Sequence, residues 1–196
     1  MVTPEELKEI EHISMEDVRS HYDDRVEIHK VLVKLLNNGK VQEYVNLALG
    51  IEDSRGNYSA DEHKLGPQIL SENTPAAVFR LAKKLYACHS VTHIPKTIYE
   101  SNLAYLKIGV GSEMAAMLRP DTFWVGNVRT IWTHLLIKHG WDYSKADEEL
   151  ELYRDDDISS KMAYQIWRDI YLSMEPNLDT LIIIGNESVS YTHLRA

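Results

Sequence analysis

Thr74-Pro75-Ala76-Ala77-Val78-Phe79-Arg80-Leu81-Ala82-Lys83-Lys84-Leu85 decides the fold class of this chain. A threonine in this position caps a helix by accepting from an amide two or three residues on. A proline at the first helical position gives up an amide hydrogen that no intrahelical carbonyl would have taken. Val78, Leu81, Ala82 and Leu85 then recur at spacings of three and four, which places them on one helical face. The stretch predicts an amphipathic helix with its lysines turned to water.

The same signals repeat on either side. Thr3-Pro4-Glu5-Glu6, Ser14-Met15-Glu16-Asp17, Ser59-Ala60-Asp61-Glu62 and Ser144-Lys145-Ala146-Asp147 each place an acid three residues after a capping residue, where it can bond back to the cap. His93-Ile94-Pro95 adds another proline start. Gly39, Gly50 and Gly140 can take the left-handed conformation that closes a helix, and Pro120 ends the helix before it. Apolar stripes fill the intervals: Val18, Tyr22, Val26, Leu32, Leu35 and Leu36; then Val41, Tyr44, Val45 and Ala48. Trp124, Val128, Ile131, Trp132 and Leu135 form the strongest, followed by Ala146, Leu150 and Tyr153, then Met162, Ile166, Trp167, Ile170 and Tyr171. Trp132 and Trp167 are therefore predicted core residues.

No strand alternation accompanies these stripes, and Leu181 to Ile184 fits a helix start as well as it fits a strand. The prediction is an all-α, compact antiparallel bundle of about eight helices with no sheet. Residues 1–187 are expected to form a single helical domain. The polar stretch from Ile51 to Asn73 is read as a connecting loop with one short helix from Ser59, and it is the alternative place for a subdivision. Val189-Ser190-Tyr191-Thr192-His193-Leu194-Arg195-Ala196 resembles a translated sequencing adaptor, and Ser188 fits the same reading frame. Residues 188–196 are expected to be an artefact that packs against nothing, with the natural chain truncated before them.

The chain carries 21 basic and 30 acidic residues, for a net charge of −9, and setting aside Arg195 makes this −10. With its lysines and arginines scattered among acids, it disfavours nucleic acid as a partner. Cys88 is the sole cysteine, so no internal disulfide forms, and the start lacks the basic and apolar segments of a signal peptide. Apolar runs such as Leu181 to Ile184 are far short of a membrane helix. These features point to the cytoplasm.

No metal and no cofactor is expected. Glu9-Ile10-Glu11-His12 is a single copy of a spacing that di-iron bundles use twice, and His89 and His93 are separated by a helix junction before Pro95. Asp155-Asp156-Asp157 lacks the glycine and spaced ligands of a calcium loop. Nucleotide loops, nucleophile elbows and zinc-protease motifs are absent. Cys88 reads as a buried structural cysteine.

The segment from His93 to Arg154 mixes apolar stripes with Glu100, Asn102, Lys107, Glu113, Asn127, Arg129 and His134. Buried polar groups must be paired, so these belong either to a structural network or to a site. Gly109 and Gly111, ahead of Ser112 and Glu113, can present amide hydrogens to an anion with Lys107 beside them, can form a helix-helix turn capped by Ser112, or can let two helices approach closely. A hairpin pivoting at Pro120 would bring Glu113 opposite Arg129. Arg129 and His134 could serve a ligand, or be satisfied by Glu148, Glu149 and Glu151.

The leading expectation is a cytoplasmic helical accessory or assembly protein, of phage or mobile-element origin, that acts through protein contacts or self-association. Its 11 tyrosines and 4 tryptophans suit interfaces. The alternative is a small helical enzyme or anionic-ligand binder whose site combines Glu100, Lys107, Gly109, Gly111, Ser112, Glu113, Arg129 and His134. A helix-turn-helix regulator ranks last, because the best basic stretch, Arg80 to Lys84, holds only three basic residues.

Overall fold

In a computed structural model, residues 15–153 and 161–178 are described, and among them every regular element is helical. Ten α-helices are present in the described residues: α1 Met15–Asn37, α2 Val41–Ala48, α3 Tyr58–Glu62, α4 Leu65–Glu72, α5 Pro75–Ala87, α6 Ile94–Ser101, α7 Ile108–Leu118, α8 Val128–Lys138, α9 Tyr143–Glu151 and α10 Lys161–Ser173. The all-α reading holds. The tail 188–196, Leu181 to Ile184, Glu9 to His12 and Asp155 to Asp157 lie outside the described residues. The helices group into two compact units, one spanning Asp23–Asn127 and the other built from Val128 onward with the residues before Asp23.

In the larger unit the predicted punctuation is largely observed. Thr74 accepts from the Ala77 amide at 3.3 Å with Pro75 as the first residue of α5, and Val78, Leu81, Ala82 and Leu85 are all buried. Gly39 ends α1 at φ +67°, and α7 stops at Leu118 before Pro120. On α1 the buried face is Ile28, Leu32 and Leu36, while Val26 and Leu35 are only half-buried. Helix α7 is buried over almost its whole circumference, with Val110 and Met114 to Leu118 enclosed, as befits a central helix packed by α3, α5 and α6.

Three readings need correction here. The stretch 51–73 is not a loop with one helix, because a 3-10 turn at Ser54–Gly56 is followed by both α3 and α4. Its cap is Asn57, whose side chain accepts from the Ala60 amide at 2.9 Å, and Ser59 sits inside the helix. Ser112 is likewise inside α7 instead of capping it. Cys88 is half-buried at the end of α5, with its sulfur 3.6 Å from the Thr97 hydroxyl.

The smaller unit begins with α8 and α9, joined by a turn in which Gly140 at φ +60° and Trp141 at φ +67° are both left-handed. The Trp141 amide donates to the Leu136 carbonyl at 2.8 Å and closes α8. Asp142, not Ser144, caps α9 by accepting from the Lys145 amide. Ile131 and Leu135 on α8, Ala146 and Leu150 on α9, and Trp167, Ile170 and Tyr171 on α10 are buried. Trp124 does not share α8, which begins at Val128, and the Gly126 amide ahead of it donates to the Ser112 hydroxyl of α7 at 2.8 Å. Trp132 is half-buried, its indole N–H donating to Asp147 at 2.8 Å and its ring 5.9 Å from that of Tyr143.

Candidate functional site

Glu113 occupies the middle of an apolar run, and a charge there requires partners if it is to stay buried. At 2 % exposure its side chain has four donors. Arg25 Nη1 at 2.8 Å and the Tyr58 amide at 3.0 Å donate to Oε1; the Ser59 amide at 2.9 Å and the Ser59 hydroxyl at 2.6 Å donate to Oε2. The two amides belong to the first turn of α3, where intrahelical acceptors are missing, so the carboxylate serves as a capping acceptor from a distant helix. The same Arg25 Nη1 also donates to the Arg55 carbonyl at 3.3 Å, and the guanidinium lies 5.1 Å from the Tyr58 ring centre.

The surroundings fix this centre. Asn57, fully buried, donates to the carbonyls of Ala48 and Val110, both at 3.1 Å, which ties α2 and α7 to the start of α3. Asn127 donates to the Ser59 hydroxyl at 3.1 Å. His29 on α1 lies with Nδ1 2.7 Å from the Met117 carbonyl, and since a carbonyl only accepts, Nδ1 carries the proton. At the rim Arg55 bonds Asp53 through Nε and Nη2 and reaches Asp24 at 2.9 Å. The Arg55 guanidinium beside Asp53 holds that carboxyl below its usual range.

Of the residues singled out in sequence, Ser112, Glu113, Gly109 and Gly111 all lie on α7. Gly109 and Gly111 form its first turn instead of a loop ahead of it. At Gly111 the close-approach reading is the observed one: an added Cβ would sit 2.8 Å from Ile98 Cδ1 on α6. Lys107 precedes α7 with extended backbone. Glu100 is exposed and pairs with Lys96 at 3.7 Å on the same helix. Arg129 and His134 belong to the smaller unit, on α8.

That unit has its own polar cluster. Glu149 accepts from Lys138 Nζ at 2.6 and 2.8 Å and from Tyr153 Oη at 2.9 Å, and lies 2.7 Å from His139 Nε2. Burial pushes its carboxyl up, but the hydrogen bonds from Lys138, His139 and Tyr153 outweigh this and hold it at about 2. His134 is buried, and its ring nitrogens meet Ser173 Oγ at 3.1 Å and Asn177 Nδ2 at 2.9 Å. Burial, aided by the charge of Lys138, pushes its pKa below the ordinary imidazole value.

Arg25, Asn57 and Arg55 were not foreseen. The available signal was Glu113 itself: a lone charge followed by Met114-Ala115-Ala116-Met117-Leu118 demands a cation from elsewhere. Among the described residues no group of three or more His, Cys, Asp or Glu could hold a metal ion, and no helix is long and apolar enough to cross a membrane. No protein family, curated protein or solved structure matches this chain.

Proposed function

We propose that this chain acts through protein contacts, as a helical accessory or assembly protein of the cytoplasm with a second copy of itself as the partner to test. The observation supporting this reading is that Glu113 is occupied from within while aromatic surface is left outside. Tyr143 is 59 % exposed beside the half-buried Trp132, and Val128, one turn before Trp132 on α8, is 49 % exposed. Rigid, half-exposed aromatics are what interfaces use. The acidic net charge of −9 argues against nucleic acid.

The alternative, an anionic ligand held with Lys107, Glu113, Arg129 and His134, requires Glu113 to give up a buried ion pair and two amides. Even then a carboxylate repels an anion. Sedimentation velocity over a concentration series, beside a thermal-shift panel of anionic metabolites, separates the two. Self-association that Tyr143→Asp abolishes supports protein contact. A monomer at all concentrations that an anionic metabolite stabilises by several degrees replaces this reading with the ligand site.

A further inference from the structure

The hydrogen-bond chain around His134 fixes which nitrogen holds its proton. Ser173 Oγ donates its single hydrogen to the Ile170 carbonyl at 2.8 Å, so it can only accept from His134 Nε2 at 3.1 Å. On the other side the Asn177 amide nitrogen, a donor, faces Nδ1 at 2.9 Å. The ring is therefore neutral, with its hydrogen on Nε2 and its lone pair on Nδ1, and in this form both nitrogens are satisfied. It links α8 to the end of α10 and to the residues just beyond.

We propose that His134 is a proton-sensitive tie, so that mild acidification loosens the end of α10 and residues 174–178 from α8. With Asn177 as oriented, a proton on Nδ1 would set N–H against its amide hydrogens, and in either orientation of that amide it would place a positive charge on a residue that is 7 % exposed. The charged groups acting on the ring are Lys138 on its own helix, which opposes the proton, and Glu149 on α9, which favours it. Glu149 is already engaged by Lys138, His139 and Tyr153 and gives little further relief. The depressed pKa of His134 agrees with this geometry. The sign follows from linkage: the tie is intact above the ordinary imidazole pKa and is lost as pH falls through the lower folded value.

The test uses the full chain, with the titration of His134 followed by NMR and amide hydrogen exchange measured from pH about 7 to about 5, where an unperturbed imidazole gains its charge. His134 is expected to titrate below the ordinary value. Amides of α10 and residues 174–178, corrected for intrinsic rates, are expected to exchange about tenfold faster at the acid end, equivalent to one pK unit. His134→Gln removes this step, and Asn177→Asp, which gives an imidazolium an acceptor, removes it by keeping the tie closed in acid. Titration of wild-type His134 at or above the ordinary value overturns the proposal. So does an acid step that survives in folded His134→Gln.

Discussion

Each unit is organised around one carboxylate with several donors, yet the two are assembled in different ways. Glu113, 2 % exposed, takes its donors from residues 88, 55 and 54 positions away, two of them backbone amides. Glu149, 18 % exposed, takes its donors from residues 11, 10 and 4 positions away, all of them side chains. The first centre exists only once α1, α3 and α7 have met. The second needs only the α8–α9 hairpin. Distant, buried partners make a carboxylate part of the core, whereas local, half-exposed partners make it the clasp of a single hairpin, open to screening by solvent.

The sharpest way to break this contrast is to remove one cation from each centre. Arg25→Met leaves the Glu113 charge buried without its counter-ion and is expected to cost about 3–5 kcal/mol in urea unfolding. Lys138→Met, taken from a side chain 49 % exposed, is expected to cost under about 1 kcal/mol. Equal losses would mean that burial does not separate the two centres.

A second comparison asks whether the smaller unit has a core of its own. Trp167 is 6 % exposed, and Trp167→Ala is expected to cost about 3–5 kcal/mol. Trp132, half-buried with its indole N–H on Asp147, is expected to lose clearly less on truncation. Thermal unfolding of the two variants side by side checks the order, and the reverse order would return Trp132 to the core.

The glycines of α7 refine the picture of the larger unit. Gly111→Ala places a methyl 2.8 Å from Ile98 and is expected to destabilise by about 1–3 kcal/mol. Gly109→Ala, whose nearest neighbour is 3.7 Å away, is expected to stabilise by about 0.5–1 kcal/mol through reduced backbone freedom. Denaturant midpoints decide both. A Gly111→Ala variant as stable as wild type would show that α6 and α7 are not in close contact there.

These same residues show what was legible in the sequence. Caps, proline starts and left-handed glycines are local chemistry, so Thr74, Pro75, Gly39, Gly140 and Pro120 announced their helices correctly. Two failures were also local, with the caps at Asn57 and Asp142 instead of Ser59 and Ser144, and the others were tertiary. Trp124 fits the α8 period, but the helix begins only at Val128, and the Gly126 amide is bonded instead to the Ser112 hydroxyl 14 residues away. The stretch 51–73 looks like a loop because its polar residues are spent on burial: Asn57 and Ser59 are inside, serving carbonyls and Glu113. Glu113 and Ser112 were legible as polar residues in an apolar setting, but Arg25 was not, since nothing local marks a residue 88 positions away as a counter-ion.

The Glu149 centre is tested by pH and salt. The Glu149 carboxyl is held at about 2 against an ordinary 4.5, because Lys138, His139 and Tyr153 favour its charged form over the opposing effect of burial. A depressed carboxylate stabilises the fold while it is ionised in both states, so its contribution is complete above about 4.5 and declines as pH falls from there toward about 2. Glu149→Gln should therefore flatten the unfolding free energy within that window and leave the slope at neutral pH unchanged. Added salt should shrink the difference between wild type and variant, because the Lys138 ammonium reaches Glu149 from a half-exposed position. A difference that persists undiminished at about 1 M salt, where the Debye length is about 3 Å, would place Glu149 among the buried ion pairs with Glu113.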